Sequence, residues 1–351
     1  MNPIAKFGIG AAIIAVVIVV SFIPNAVLHL SNNDASGTDV LRIGYFPNIN
    51  HAQAVIGLGN GEYQRALGTV KIETQVFNAG PSAIEALFAN KIDVTYVGPN
   101  PAINGYIKSE GEGLRIVAGA SSGGAVFVIR NDAGINSVAD FAGKKFASPQ
   151  LGNTQDVALR AYLLKNGYKT TENGGNVEVI PAKNSDILTL MVKKDIDGAW
   201  VPEPWGAKLV KEANAKIFLD ERDLWSDGKF VTSHIVVRTD YLQKHPDIIK
   251  KLLQAHVDET LQINNNKEDS LRIFNDQIEK ITGKTIPEDE LHQAFARMEI
   301  TYDPIKKSLY KSADDAFNIG FLGDTKPDLS KIYDLTILNE VLEEEKLAAI
   351  Q

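Results

Sequence analysis

Residues 144–156 read KKFASPQLGNTQD, and this stretch decides the fold. Its first half is predicted to end a short buried strand, and Pro149 and Gly152 mark a tight loop after it. Asn153 then stands at the N-cap position of a helix, with Asp156 three residues later as in a capping box. The stretch therefore predicts a strand that leads through a glycine turn into a helix.

The residues that follow predict the helix itself and point to a use for its start. Val157, Ala161 and Leu164 recur at helical spacing, and Asn166 and Gly167 supply the stop. The free backbone N–H groups and the positive dipole end of such a helix form a site for an anion or a carbonyl oxygen. The alternative is an ordinary loop between a strand and a helix, whose N-cap hydrogen bonds serve only the helix and bind no ligand. This stretch alone leaves both interpretations open.

Composition narrows the class of protein. The chain has 351 residues, which favours two domains, and 44% of them are hydrophobic. The net charge is −8 and no basic block stands out, so no nucleic acid is expected as a partner. Cysteine is absent from the sequence, which excludes disulfides, thiolate catalysis, iron–sulfur clusters and a lipid anchor on cysteine.

The N-terminus predicts attachment to a membrane or export across one. Residues 7–23 form an uncharged apolar run with Lys6 before it, at the short end of a membrane span of roughly 17–25 residues. Residues 1–24 are predicted as a transmembrane anchor, with a cleaved signal as the alternative, and residues 25–39 as a polar tether. In both cases the rest of the chain is expected outside the cell membrane, with the short N-terminus inside.

Strands and helices alternate along the first part of the chain. Strands are predicted over 40–46, 69–77, 92–97, 114–118 and 125–130, and helices from 52 and over 82–90. This alternation indicates an α/β fold with a mostly parallel sheet and helices on both faces.

The same pattern then starts again, which indicates two lobes. Residues 92–97 and 196–201 share I-D-x-x-aromatic-V, and each segment runs into a proline-rich turn. Residues 126–231 are therefore predicted as lobe 2, and residues 40–125 with 232–351 as lobe 1. Loops at the carboxyl ends of parallel strands bind ligands in such sheets, so two facing lobes predict a cleft.

The last third of the chain is predicted to be almost entirely helical after a strand over 231–237. Amphipathic helices are predicted over 246–263, 268–281, 288–297, 306–317 and 337–349. They are expected to pack on lobe 1 because they have no sheet of their own. Strands 125–130 and 234–238 are then predicted as the two crossings between lobes, which together form a hinge.

Six motifs in order carry a resemblance to a known family. They are GYFPN (44–48), NAGPSAIEAL (78–87), KIDVTYVGPNP (91–101), SPQLGNTQDVALRAYL (148–163), IDGAWVPEPW (196–205) and KFVTSHIVVRTDYL (229–242). The chain resembles the nitrate/sulfonate/taurine family of ABC-transporter solute-binding proteins over roughly residues 40–264, and it is most similar to the aliphatic-sulfonate-binding group.

The resemblance implies a fold and a role. The fold is a two-lobed periplasmic-binding-protein fold of the second type, with two mixed sheets, helices on both faces of each and a two-segment hinge. The role is that of a receptor, not an enzyme, which needs no cofactor, captures a small anionic solute by hinge closure and delivers it to ABC permease subunits. Many family members carry a cleaved signal or a lipidated cysteine, whereas this chain has the apolar run at its start.

Resemblance and loop position together give a set of candidate ligand-binding residues. They are Asn48, His51, Ser82, Asn100, Ser121, Ser122, Asn153, Thr154, Glu203, Trp205, Thr232 and His234. These loops contain no Arg or Lys, so a sulfonate is expected to be held by hydroxyls, amides and backbone N–H groups. Trp205 is a candidate cover for an organic tail, and Glu203 is expected to bind backbone amides or a cationic part of the ligand.

Catalytic motifs give little support to an enzyme. Residues 119–123 spell G-x-S-x-G, but the nucleophile elbow needs a helix directly after the serine, and a strand is predicted there. The sequence contains no P-loop and no H-E-x-x-H, and its six histidines are scattered, so no metal site is expected. Alternatives to a sulfonate receptor remain: a receptor for nitrate or another small solute of the thiamin-pyrimidine type, an enzyme on the same fold, or a sensor ectodomain.

Overall fold

The structure is a computed structural model that describes residues 39–351. The anchor or signal predicted at 1–24 lies outside the described residues, and so does the predicted tether up to residue 38. Among the helices of residues 39–351, none combines the length and apolarity that crossing a bilayer requires.

The strands alternate with helices through the first two thirds of the described chain. They are β1 (Val40–Tyr45), β2 (Lys71–Val76), β3 (Val94–Val97), β4 (Leu114–Gly123), β5 (Ala125–Arg130), β6 (Lys145–Pro149), β7 (Glu178–Ala182), β8 (Gly198–Pro202), β9 (Ala215–Asp220), β10 (Val231–Arg238) and β11 (Met298–Ile300). The strands predicted from the sequence are present, with boundaries that differ by at most five residues.

These strands form two mixed sheets, as predicted. The six-stranded sheet has the order β11-β4-β10-β3-β1-β2, and the five-stranded sheet has the order β7-β6-β8-β5-β9. In the first, β10 runs antiparallel to β3 and β4, while β1 runs parallel to β2 and β3. In the second, β5 runs antiparallel to β8 and β9. We call each sheet with the helices packed on it a lobe, the first being six-stranded and the second five-stranded.

The helices lie between the strands and fill the C-terminal third. They are α1 (Ala52–Gly59), α2 (Glu62–Leu67), α3 (Gly80–Phe88), α4 (Pro99–Lys108), α5 (Thr154–Lys165), α6 (Asn184–Val192), α7 (Trp205–Glu212), α8 (Thr239–Lys244), α9 (Pro246–Asn265), α10 (Lys267–Thr282), α11 (Glu288–Phe295), α12 (Lys306–Asn318) and α13 (Thr336–Glu344). Their apolar faces cover the sheets, whose inner strands β3 and β5 are buried along their whole length.

The chain passes between the sheets at glycines and not within the strands predicted as crossings. All of β5 is hydrogen-bonded in the five-stranded sheet and all of β10 in the six-stranded sheet, so the prediction that these strands cross was wrong. The first crossing is at Gly123 and Gly124, which have φ values of +75° and +70°. Glycine adopts this left-handed conformation without the steric cost that a Cβ brings. The return lies between Asp220 and Val231.

The predicted lobe boundaries, 40–125 with 232–351 and 126–231, remain a prediction. Sheet pairing differs from them by one residue at each junction. Ala125 pairs with Pro202 in the five-stranded sheet, and Val231 pairs with Ser122 in the six-stranded sheet.

Several helices and strands were not predicted from the sequence, because they are short or begin with residues typical of turns. Residues 98–101 were predicted as a loop, yet α4 begins at Pro99, since proline suits the first turn of a helix. Residues 202–205 were also predicted as a loop, and α7 begins at Trp205, the last of them. The short strand β11 adds an edge to the first sheet from a region predicted to be helical. The strand β9 and the helix α8 were also not predicted.

Candidate functional site

A small polar cavity lies where loops of the two lobes meet. Its volume is about 20 Å³, which is room for about one water molecule. It is lined by Phe46, Asn48, Asn50, His51, Asn78, Gly98, Pro149, Asn153, Thr154, Gln155, Asn184, Pro202 and Thr232. We call this the polar cavity.

Several helices begin at the polar cavity. Asn48 precedes the 3₁₀ turn Ile49–His51 that leads into α1, and Gly98 is the N-cap of α4. Asn153 is the N-cap of α5, and Asn184 is the first residue of α6. A helix N-terminus carries a partial positive charge and free N–H groups, so starts drawn from both lobes make the cavity suitable for an anion.

The lining carries no Lys, Arg, Asp or Glu and is dense in side-chain amides. His51 adds no charge, because burial lowers its pKa to about 3. Its Nδ1 accepts a hydrogen bond of 3.2 Å from the backbone N–H of Phe46, and the two rings stack with centroids 4.4 Å apart. The polar cavity is therefore electrically neutral and offers hydrogen bonds from amides, hydroxyls and backbone groups.

Asn153 takes the N-cap position that the sequence predicted, but its side chain does not cap the helix. Its Oδ1 accepts a hydrogen bond of 3.3 Å from the backbone N–H of Gly80 in the first lobe. The capping-box prediction was wrong because the Asp156 carboxylate is used elsewhere. It accepts hydrogen bonds from Ser148 Oγ at 2.6 Å and from Arg160 Nε at 3.0 Å. Asn153 therefore links the lobes at the rim of the polar cavity.

Two more predicted residues join the lobes beside the polar cavity without lining it. Trp205 Nε1 donates to Asn48 Oδ1 at 3.3 Å, and Ser82 Oγ donates to Gln150 Oε1 at 3.3 Å. Trp205 therefore lies next to the cavity and is held by one of its lining amides.

Glu203 forms an ion pair between the lobes. Its carboxylate is fully buried. It accepts one hydrogen bond of 2.9 Å from the backbone N–H of Ala207 and another of 2.8 Å from Arg297 Nη1. Burial raises the pKa of Glu203, and the N–H of Ala207 and the charge of Arg297 oppose that rise. Of the two uses predicted for this residue, the structure shows the contact with a backbone amide.

Of the predicted residues, the structure brings Asn48, His51, Asn153, Thr154 and Thr232 into the lining of the polar cavity. The rest lie elsewhere. Ser121 is within β4, and Ser122 Oγ accepts from the backbone N–H of Phe230 at 3.3 Å. His234 lies under Pro304, with its Nε2 3.1 Å from that carbonyl oxygen. Asn100 Nδ2 donates to the backbone oxygen of Ser312.

Sequence reasoning missed Phe46, Asn50, Asn78, Gln155 and Asn184 as lining residues. A signal existed for two of them, because Asn78 and Asn184 stand at turns that open helices, where amides are common. Among residues 39–351, Thr154 Oγ1 and Asn184 Oδ1 are buried and have no hydrogen-bond partner. Since unpaired buried polar atoms are costly, these two atoms indicate where a polar ligand group gains most.

Comparison with known protein families identifies the family of the chain. The model of the NMT1-like family matches residues 34–273 of the chain. The chain belongs to the NMT1-like family. The resemblance predicted from the six motifs is thereby confirmed.

Individual relatives of this NMT1-like protein are distant. A putative binding protein of Brucella abortus is 28% identical over 181 residues, which are 52% of this chain and 54% of the Brucella protein, so the chain spans about half the length of that relative. A putative aliphatic sulfonates-binding protein of Bacillus subtilis is 23% identical over 78% of this chain and 80% of its own length. The periplasmic nitrate-binding protein of Synechocystis PCC 6803 superposes with a TM-score of 0.71 at 16% identity, covering 88% of this chain and 89% of that structure. The chain shares that protein's fold.

The G-x-S-x-G pattern of this NMT1-like protein does not form a nucleophile elbow. Ser121 lies inside β4 and pairs with β10 and β11, and the chain continues through Gly124 into β5. An elbow requires a strand, a sharp turn and a helix in that order. Within residues 39–351, no cluster of His, Asp or Glu has the arrangement of a metal site.

We expect the free energy of unfolding to fall as the pH drops from 6.5 to about 5. Burial lowers the pKa of His51 to about 3, and of His234 and His256 to about 4, from 6.5. Below pH 6.5 these histidines bind protons in the unfolded chain but stay neutral in the folded chain. Each of them therefore lowers the free energy of unfolding by about 1.4 kcal/mol for each pH unit of acidification. Glu221 and Glu259 act in the opposite direction, because burial raises the pKa of each to about 7 from 4.5.

Urea titrations at pH 7, 6 and 5 measure this balance. Three histidines against Glu221 and Glu259 leave a net loss of about 1 kcal/mol per pH unit between pH 6 and 5. Burial also raises the pKa of Glu203, which makes the decline shallower. Glu221→Gln removes one opposing group and should make the decline steeper. A stability that rises between pH 6.5 and 5 would contradict the neutral state of the buried histidines.

Proposed function

We propose that this protein is the solute receptor of an ABC importer and binds a small organic anion of the sulfonate class. The ligand occupies the polar cavity between the lobes, and hinge closure at Gly123 and Gly124 brings the two sets of loops together around it. The apolar segment at residues 7–23 holds the receptor at the membrane with its binding domain outside, where ABC permease subunits receive the solute.

The observation that carries this proposal is the convergence of helix N-termini from both lobes on a neutral, amide-rich cavity. A sulfonate is weakly basic and weakly hydrated, so it suits neutral donors and does not need an arginine. Neighbours within the family support the same class, since the Bacillus relative is named for aliphatic sulfonates. The ligand increases the population of the closed form, and the permease recognises that form.

Nitrate is the second candidate, and one observation favours it. The polar cavity measures about 20 Å³, so a smaller anion needs less widening than a sulfonate. Nitrate offers three oxygens to the same amide and backbone donors. The fold is shared with a nitrate-binding protein, but likeness of fold does not choose the ligand.

Thermal unfolding and calorimetry with methanesulfonate, taurine and nitrate test the proposal. We expect methanesulfonate at about 100 times its Kd to stabilise the fold by roughly 2.7 kcal/mol. Asn153→Ala should raise the Kd about fivefold, because a hydrogen bond between the lobes is worth roughly 1 kcal/mol. The melting temperature of the unliganded variant should stay close to that of the wild type.

Asn166→Ala is the matched control, since Asn166 lies at the other end of α5 and its amide bonds to its own helix at Tyr162. It should leave the Kd unchanged. If nitrate stabilises the protein and no sulfonate does, the substrate assignment fails while the receptor role stands. If none of a broad set of small anions binds, the receptor role fails too.

A further inference from the structure

A cavity of about 620 Å³ lies in the first lobe and is lined by residues of α1, α2, α9 and α10. Within the described part of the chain, it shares no lining residue with the polar cavity. Its volume falls within the range of sites that bind small organic molecules, roughly 300–1,000 Å³. We call it the acidic cavity, because Glu62, Asp258, Glu259 and Asp269 line it and, among residues 39–351, no Lys, Arg or His does.

Glu259 is the most buried of these four carboxylates, and its hydrogen-bond partner is neutral. It is 2% exposed, whereas the other three residues are exposed. Its Oε2 accepts a hydrogen bond of 3.3 Å from the side-chain amide of Asn60. Its Oε1 is buried and has no hydrogen-bond partner among residues 39–351. Because an unpaired buried charge is costly, a cation in the acidic cavity would supply the partner that Glu259 needs.

The pKa of Glu259 shows that the protein stabilises this charge poorly. Burial raises the pKa of Glu259 to about 7, and the negative charges of Glu62 and Asp258 raise it as well. The hydrogen bond from Asn60 and the positive charge of Arg65 oppose the rise, but Arg65 forms its ion pair with Glu62. A bound cation would favour the ionised form of Glu259, which already predominates at pH 8.

The remaining walls indicate the chemistry of that cation. Ile56, Ala255 and Ile273 add apolar surface to the same lining. Within residues 39–351, no group of three acidic or histidine side chains is arranged to hold a metal ion, which needs several converging oxygen ligands. An ammonium group instead donates hydrogen bonds to single carboxylates, and the methylenes attached to it lie on apolar surface. Carboxylates combined with aliphatic side chains therefore suit an organic amine.

We infer that the acidic cavity is a second binding site, which takes a small aliphatic polyamine with one ammonium group on Glu259. The exposed carboxylates of Asp258 and Asp269 receive a further ammonium group. Asp269 pairs with Arg272, but exposed ion pairs are weak and yield to a ligand. The inference does not depend on the proposed function, because the two cavities are lined by different residues.

Calorimetry with 1,4-diaminobutane and spermidine at pH 8 tests the inference, with 1,4-butanediol as the compound that has the chain but no charge. We expect one molecule of either amine to bind per protein, and spermidine to bind about threefold more tightly because it carries a third charge. We expect no binding of the diol. Absence of binding by both amines, or equal affinity for the diol, would overturn the inference. Neither outcome affects the receptor role, which the sulfonate and nitrate titrations test separately.

Two variants locate the amine. Glu259→Gln removes the charge and keeps the size of the side chain, and it should raise the Kd of 1,4-diaminobutane by about tenfold or more. Ala66→Trp places an indole at an exposed position of the lining, and it should raise the same Kd by about fivefold or more because it takes up space in the cavity.

Glu340→Gln is the matched control, since that carboxylate is exposed on α13 of the same lobe and pairs with Lys250 outside the cavity. It should leave the Kd of 1,4-diaminobutane unchanged. If Glu259→Gln and Ala66→Trp both bind the amine as tightly as the wild type does, the amine lies elsewhere and the inference is wrong.

Discussion

Arg297→Ala is expected to lower the free energy of unfolding by about 3 kcal/mol at pH 8 and by clearly less at pH 5. The substitution leaves the fully buried carboxylate of Glu203 without its cation, since Arg297 Nη1 lies 2.8 Å from Glu203 Oε1. Removing one partner of a buried pair costs about 3–5 kcal/mol, and the low end applies because the Arg297 side chain is 18% exposed.

The pH dependence follows from the carboxylate. Burial already raises the pKa of Glu203, and loss of Arg297 raises it further. A carboxyl group whose folded pKa lies above its unfolded pKa destabilises the protein as the pH rises through that interval. At pH 5 more of the variant carries a neutral Glu203, so the penalty shrinks. Urea titration at pH 5 and pH 8 measures the difference.

A neutral partner and an exposed pair serve as controls. Glu203→Gln combined with Arg297→Ala should be more stable at pH 8 than Arg297→Ala alone, because the glutamine carries no charge and still accepts from Ala207. Lys229→Ala breaks the pair with Glu299, in which both side chains are exposed, and should cost at most about 1 kcal/mol. Equal effects of Arg297→Ala at both pH values would show that Glu203 is not the group responsible.

Gly98→Ala is expected to weaken ligand binding by roughly tenfold to a hundredfold while changing the melting temperature of the unliganded protein little. The backbone at Gly98, with φ −69° and ψ 164°, suits any residue, so glycine is present for space and not for conformation. A Cβ at this position would overlap Thr154 Oγ1, which belongs to the other lobe. Overpacking of this kind costs about 1–3 kcal/mol.

We expect Gly98→Ala to lower the affinity for the ligand and not the stability of the unliganded protein, because the overlap exists only where the lobes meet. In the unliganded variant a small separation of the lobes relieves the steric overlap. In the ligand-bound form the lobes are held together, so the overlap remains and weakens binding. Adding Thr154→Ala removes the overlapping atom and should recover the part of the affinity loss that the overlap causes, while the ligand contact of the Thr154 hydroxyl stays absent.

Gly59→Ala is the matched control, because that glycine is exposed at the end of α1 and its added Cβ meets only the flexible side chain of Gln277. Calorimetry compares the four proteins. Unchanged affinity in Gly98→Ala would show that the lobes need not approach this closely around the ligand.

Much of the fold was open to prediction because it depends on local pattern. Alternation of strands and helices predicted two mixed sheets, and both are present. The N-cap position of Asn153 followed from its place between a glycine turn and helical spacing. Short elements such as β11 were missed, since three residues carry too little pattern to distinguish an edge strand from a helix end.

The candidate site was predicted less well, because a binding site depends on which distant residues meet. Loop position identified Asn48, His51 and Asn153, which the structure brings to one cavity. It also proposed Ser121 and His234, which lie in strands away from the cavity lining. A residue that follows a strand is expected near the edge of the sheet. Its place in the sequence does not predict whether its side chain faces the other lobe.

The sequence by itself determined the class of fold, the N-cap position of Asn153 and the absence of Arg and Lys from the candidate loops. Tertiary structure alone decided that Asn153 reaches Gly80, that Glu203 meets Arg297, and that Val157 of α5 packs in the hydrophobic core of the first lobe. The physical reason is that periodicity and caps arise from contacts a few residues apart, which the sequence displays directly. Contacts such as that of Glu203 with Arg297 join residues 94 positions apart, and they exist only once both lobes have packed.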